Sequence, residues 1–159
     1  MATVELDVQI ERGTSKDIDC VMNVMESAFG NRFGEAWTRS QLAGILPMGG
    51  VSLVLARDAD TDGAIGFSLF RTVADEAELL LLAVTSTHHR RGVGSRLLAY
   101  FIERVRNEGV VRVHLEVRDG NPAVKMYRSA GFSPVGRRRN YYHSPDGQRF
   151  DAITLSRQL

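Results

Sequence analysis

The chain has 159 residues, the size of one domain, and that is long enough to bury a full core without help from disulfides or metals. Hydrophobic residues make up 43% and charged residues 25%, an ordinary globular balance, and no apolar run reaches the roughly eighteen residues of a membrane-spanning helix. A formal net charge of +1 makes the whole chain a poor binder of polyanions, and one cysteine and four histidines at no ligand spacing exclude an internal disulfide and argue against zinc. The opening MATVELDVQI lacks the basic and apolar regions of a secretory signal. These features predict one domain over 1–159, a reducing, cytoplasmic compartment, no metal and no membrane contact.

Leu6 to Arg12 alternates well enough for a first strand. Thr14 and Asp17 have capping-box spacing and open a helix over 17–29. Its Ile18, Val21, Met22, Met25 and Phe29 recur on one face, and Cys20 reads as a buried residue of the same helix. Residues 30–36 form a glycine-broken loop, with Trp37 as its anchor. Thr38 and Gln41 cap a second, short helix that Pro47, Gly49 and Gly50 end. Residues 51–58 and 64–73 read as a hairpin around a turn at 59–63.

Residues 76–85 have a continuous apolar centre, the pattern of a central strand buried on both faces. A helix then runs from about Val93 to Glu108, with Leu97, Leu98, Phe101, Ile102 and Val105 on its apolar face and Gly109 as its stop. Residues 110–119 alternate as a strand. Asn121-Pro122 opens a helix over 123–130, and Gly131 is its C-cap. Residues 132–143 and 149–159 read as antiparallel strands joined by Ser144-Pro145-Asp146-Gly147. The order β-α-α-β-β-β-α-β-α-β-β predicts an α/β (α+β) domain, a mixed central sheet of about seven strands flanked by about four helices.

The stretch HHRRGVGSRLLAYF, His88 to Phe101, places two glycines between an apolar strand and a helix. The first amides of a helix lack internal partners and carry the positive end of its dipole. Glycines let a ligand approach the backbone, so such a turn can cradle a phosphate. A tight turn with solvated arginines explains the same residues equally well. No G-K-[ST] follows, so this is not a Walker loop, and the third glycine of a dinucleotide fingerprint is missing.

The wider context carries more. LLLAV, the turn HHRRGVGSRLL, a helix, VHLEV and NPAVKMYRSAGF follow one another between residues 64 and 133. That order resembles the GNAT acyl-CoA N-acyltransferase superfamily, with its R/Q-x-x-G-x-G/A turn at His89 to Gly94 and its Y-x-x-x-G-F at Tyr127 to Phe132. His89 stands where the family usually has Gln or Arg. Within the superfamily the chain is most similar to the RimI-type ribosomal-protein-alanine N-acetyltransferases. HLEVRDGNPAVKMYRSAGF (114–132), GRRRNYYHSPDGQRFDAITL (136–155) and EAWT (35–38) carry that closer resemblance.

The resemblance implies transfer of an acetyl group from acetyl-CoA to a protein N-terminal amine, in particular the N-terminal alanine of a small-subunit ribosomal protein, by a monomer or dimer with no direct nucleic-acid partner; the alternatives are transfer to a small amine or a lysine side chain, or acyl-CoA binding without catalysis. It implies that backbone groups of Leu82, Ala83 and Val84 pair with the pantetheine arm. Arg90, Arg91, Gly92, Val93, Gly94 and Ser95 would hold the pyrophosphate, Asn121 would touch the cofactor, and an N–H near Val84 would face the oxyanion. Glu116 maps onto the family's base. On its residues alone it is equally a paired surface glutamate on a strand face shared with His114 and Arg118. Tyr127 maps onto the acid, where its residues alone suggest a core tyrosine. Glu76 and Glu78 are expected near the amine, and Tyr141, Tyr142, Asp146 and Asp151 are expected to give the last hairpin an acidic acceptor groove. Arg137–Arg139 reads as a solvated strand end.

Overall fold

A computed structural model describes residues 7–60 and 63–159. Seven strands form one sheet: β1 (Val8–Gly13), β2 (Val51–Asp58), β3 (Ala64–Val73), β4 (Glu76–Val84), β5 (Arg112–Arg118), β6 (Ser133–His143) and β7 (Arg149–Gln158). Their spatial order is β1-β2-β3-β4-β5-β7-β6. All neighbours run antiparallel except β4 and β5. Four helices cover the faces: α1 (Ile18–Phe29), α2 (Arg39–Ile45), α3 (Val93–Asn107) and α4 (Ala123–Ser129). The expected architecture is the observed one. Leu6, the expected start of the first strand, and part of the expected turn at 59–63 lie outside the described residues.

The Thr14–Asp17 capping box is formed, but it caps a single 3-10 turn over Ser15–Asp17, and α1 starts only at Ile18. Thr38 and Gln41 form the second box, at the start of α2. Each box satisfies amides that a helix start leaves bare. Cys20 is half-buried, because its place on α1 falls at the edge of the apolar stripe.

Two apolar cores lie on opposite faces of the sheet. Val21, Val24 and Met25 of α1 and Leu42 of α2 pack on Leu53, Leu55, Phe67 and Leu69. Val93, Leu97, Leu98, Phe101, Ile102 and Val105 of α3 pack on Val54, Phe70, Leu79, Val113 and Leu115. Each full burial of such a side chain is worth roughly 1.5–3 kcal/mol.

β4 is the central strand, as its composition predicts. Its buried side chains nevertheless change face partway along. The register with β3 slips between Leu69 and Phe70, which leaves Leu80 as an extra residue in β4. Ala77 and Leu79 therefore join the α3 core, whereas Leu81 and Ala83 join the α1 core. Beyond the bulge the strand also parts from β5. The parallel pairing runs only from Glu76–Arg112 to Leu79–Leu115. From Leu80 to Val84 one edge of β4 opens onto a cleft, and Leu80, Leu82 and Val84 are only half-buried.

Candidate active site

The cleft between the splayed strands has a volume of about 840 Å³. One side is a continuous stretch of chain. Leu79 to Val84 of β4 line it, followed by His88, His89, Arg90 and Gly92 to Ser95. Gly92 precedes α3 with φ +79° and gives the helix no side-chain cap. The first amide of this turn to bond within the helix is that of Arg96, to the Gly92 carbonyl at 3.1 Å. The amides of Val93, Gly94 and Ser95 thus meet the cleft with the helix dipole behind them. A Cβ on Gly92 would meet nothing within 4 Å, whereas one on Gly94 would approach Met126 Sδ at 3.3 Å. Arg90 also has a positive φ, +63°, which turns the chain sharply into the helix. A bare strand edge leading to unpaired amides at a helix start suits a peptide-like arm that ends in a diphosphate.

His89, the residue that departs from the family pattern, bonds back to the strand. Its Nε2–H donates to the Val84 carbonyl at 2.8 Å. Side-chain chemistry at this position therefore shapes the turn. Arg91 is exposed and does not line the cleft, unlike the other turn residues named from the sequence.

Glu116, on β5, lines the opposite side. Its side chain is 11% exposed. It accepts a hydrogen bond from the Thr154 hydroxyl at 2.7 Å and pairs with Arg138 Nε at 2.9 Å. The arginine partner comes from β6, not from Arg118 on the same strand. His114 lies 3.8 Å from Glu78, and Arg118 turns to another carboxylate, that of Glu35, at 3.1 Å.

Tyr127 is buried on α4, edge-to-face with Phe132 at 6.0 Å, and also lines the cleft. Both readings of this residue hold together: its ring belongs to the core and its phenol to the cleft wall. Burial, and then the charge of Glu35, push the phenol well above the ordinary tyrosine range. Among the described residues no hydrogen bond from its hydroxyl to a protein group is present, and the residue lines the cleft. Tyr142 is shifted in the same direction, again chiefly by burial. Its hydroxyl reaches the Glu116 carbonyl at 3.4 Å.

The far end of the cleft is closed around Phe33, Glu35 and Arg118, to which the sequence assigned no site role. Glu35 and Arg118 are each 10% exposed and face one another, and Asn121, expected to touch the cofactor, donates to Glu35 Oε2 at 2.8 Å. Arg118 stacks 3.7 Å above the Phe33 ring, and Phe33 meets Phe150 of β7 edge-to-face at 5.3 Å. A Cβ on Gly34, which has φ +73°, would overlap the His143 carbonyl. Only the glycine break in 30–36 signalled such a close approach. Nothing local pointed to the partners.

The acidic hairpin expected from the sequence is organised otherwise. Asp151 accepts from the Asn140 amide at 2.9 Å and from Arg137 at 3.0 Å, where β6 bulges between Arg138 and Tyr142. Asp146 accepts from Ser144 and Gln148 inside the turn. Both aspartates are consumed in holding the hairpin, and only Tyr141 and Tyr142 of this group line the cleft. Glu76 lies outside it, paired with Arg112 at 2.5 Å, while Glu78 lines it. Arg137 bridges Asp119 and Asp151, so the basic run is largely paired internally. Trp37 lies at the cleft edge, with its amide on Met25 Sδ at 3.1 Å. Asn121 caps α4 in practice, since its Oδ1 accepts from the Ala123 amide at 2.9 Å. No group of metal-ligating side chains occurs among the described residues, nor does a helix long and apolar enough to cross a membrane.

Comparison with known proteins places this geometry. The family model for the acetyltransferase (GNAT) family matches residues 19–132. A Haemophilus influenzae protein named ribosomal protein bS18-alanine N-acetyltransferase is 39% identical over 92 residues, 58% of this chain and 63% of that one. Its Escherichia coli namesake is 41% identical over 91 residues, 57% of this chain and 61% of its own length. Each match therefore spans less than two thirds of the relative. The crystal structure of the E. coli ribosomal-protein-S18-alanine N-acetyltransferase superposes with a TM-score of 0.85 at 27% identity, covering 96% of this chain and 94% of that one. The chain belongs to the GNAT acetyltransferase family.

Proposed function

We propose that the protein transfers the acetyl group of acetyl-CoA to a protein N-terminal amine, that of the N-terminal alanine of a small-subunit ribosomal protein. The observation that carries this reading is the meeting of four things in one cleft: the free β4 edge, the open start of α3, Glu116 and Tyr127. The likeness to two bS18-alanine acetyltransferases supports the choice of acceptor.

In this reading Leu82, Ala83 and Val84 bind the pantetheine arm as an added strand. His89 already occupies the Val84 carbonyl, so the amide of Val84 and the groups of Leu82 are the natural partners. Arg90 and the turn from Gly92 to Ser95 hold the pyrophosphate. Asn121 lies beside the arm at the start of α4.

An amine attacks only when neutral. An α-amine titrates near 7.7–8.0, so removing its proton is a mild demand, whereas lysine near 10.4 asks for more. Glu116 takes that proton. Its ion pair with Arg138 does not prevent this, because Arg138 is 63% exposed and solvent screens its charge. The amine nitrogen bonds to the thioester carbon, the oxyanion is met by a backbone N–H near Val84, and the C–S bond breaks. Tyr127 gives its proton to the departing thiolate. Its raised pKa keeps that proton on the phenol throughout the working range.

Mass measurement on two peptides tests the reading. One has a free N-terminal alanine and an internal lysine; the other is identical but N-terminally blocked. One acetyl group on the free peptide alone is expected. Acetylation of both would move the acceptor to lysine, and acetylation of neither would exclude a peptide acceptor.

A further inference from the structure

Glu35 is a nearly buried carboxylate on the loop between α1 and α2, far in sequence from every group of the proposed reaction. Neutralising Arg118 would alone explain an anion there. Its geometry does more. Oε1 faces Arg118, while Oε2 accepts from Asn121 Nδ2 at 2.8 Å. The other end of the same amide accepts from the Ala123 amide, the first of α4. Only one orientation of the Asn121 amide satisfies both partners. Tyr127 lies four residues beyond Ala123, on the same helix face. A chain of two hydrogen bonds thus joins the loop to the first turn of α4, one turn before the phenol.

The loop end of this chain is rigid. Phe33 is held between Arg118 and Phe150, and Gly34 lies flat on the backbone of His143. The loop cannot shift without disturbing β5 and the last hairpin. Glu35 is also the charge felt by both cleft phenols, Tyr127 and Tyr142.

We propose that Glu35 is a positioning residue: through Asn121 it fixes the first turn of α4, and with it the Tyr127 phenol, relative to the loop and hairpin that close the far end of the cleft. The inference rests on the reading of Tyr127 given above. It makes the two ends of the cleft a single mechanical unit, so that disturbing the loop at Glu35 disturbs the proton donor.

Asn121→Asp tests the link directly. The aspartate still caps Ala123, but it sets a carboxylate against Glu35. With the free alanine peptide, kcat is expected to fall about tenfold. Backbone hydrogen exchange over Ala123–Tyr127 is expected to speed up. Adding Glu35→Gln reverses the polarity of the bond, because the glutamine amide donates to the new carboxylate. At saturating acetyl-CoA, where a weakened cofactor contact of Asn121 does not limit the rate, the double variant should regain much of the kcat lost by Asn121→Asp, and its α4 protection should return. Should Asn121→Asp fail to fold, Glu35→Leu with Arg118→Met severs the same link without stranding a buried charge, and the same losses are expected.

Three results would overturn the proposal. One is unchanged α4 exchange in whichever variant folds. Another is parental kcat in that variant. The third is a kcat loss that the double variant does not repair although its melting temperature has recovered. Exchange reads α4 whether or not a peptide is acetylated. A parent protein that acetylates no peptide would therefore sink the proposed reaction, and exchange would still decide the coupling.

Discussion

One wall of the cleft, Leu82 to Ser95, is a single run of chain that offers mostly backbone: a free strand edge and the bare amides of a helix start. The opposite end is assembled from Phe33 and Glu35, from Arg118 and Asn121, and from Tyr142 and Phe150, which meet only in three dimensions and act through their side chains. Backbone amides are the same in every residue. The first wall therefore depends on few side chains, chiefly His89 on the Val84 carbonyl, with Gly92 and Gly94 leaving room. In the second, each member has a partner of definite shape and charge, so it should be far less tolerant.

The largest test of this contrast is Tyr127→Phe, which removes one oxygen from a ring whose packing stays. We expect kcat to fall by about 10²-fold or more with acetyl-CoA affinity retained. An unchanged kcat in single-turnover assays would remove Tyr127 from the reaction.

On the backbone wall, Gly94→Val puts a branched side chain toward Met126, Leu82 and Val84. The expected result is an increase of about tenfold in the acetyl-CoA dissociation constant, read by calorimetry, with peptide KM little affected. If the peptide KM rose instead, the two ends of the cleft would have been assigned the wrong way round.

Alkaline stability separates the buried phenol from the exposed charges. Tyr127 and Tyr142 are raised in the folded protein, whereas an unfolded tyrosine titrates near 10. Below about pH 10 both states keep their protons, and stability is full. Above it the unfolded chain releases protons that the folded chain retains, so stability falls as pH rises. For Tyr127 the slope is up to about 1.4 kcal/mol per pH unit. It is smaller for Tyr142, which is half open to solvent. Urea midpoints from about pH 9 to 11 should show a shallower decline in Tyr127→Phe than in the parent. A decline of identical slope would mean that the phenol is not held protonated by the fold.

The smallest effect belongs to Arg138→Gln. Arg138 is the exposed member of its pair with nearly buried Glu116, which keeps its bond from Thr154, so we expect only about 1 kcal/mol in stability. A larger loss in denaturant titration would show that the arginine is integral to the wall.

Patterns that are local were readable. The capping boxes at Thr14 and Thr38, the glycine turn before α3 and the alternation of β5 each lie within a few residues, and each specifies a backbone conformation or a face. The resemblance carried by residues 64–133 supplied the rest of the backbone wall, because there the site is the chain itself. Glu116 and Tyr127 could be placed on a strand and a helix from the sequence. That they face one cleft depends on β4 leaving β5 after Leu79.

Other features had no local signal. The Leu80 bulge is invisible in a run of four leucines, since slipping one residue changes the face and leaves the composition unaltered. Asp146 and Asp151 carry the same charge as any acceptor-binding carboxylate. Only their hydrogen bonds, to turn and bulge amides, reveal a structural use. The sequence by itself determined the elements, their order and the glycine turn before α3, because hydrophobic period, caps and glycine conformations act over a few residues. Tertiary structure alone decided which strand edge is free, that Glu116 takes Arg138 and Thr154, and that Glu35 reaches Asn121. Those contacts join residues far apart in the chain, and side-chain chemistry has no fixed spacing by which to announce them.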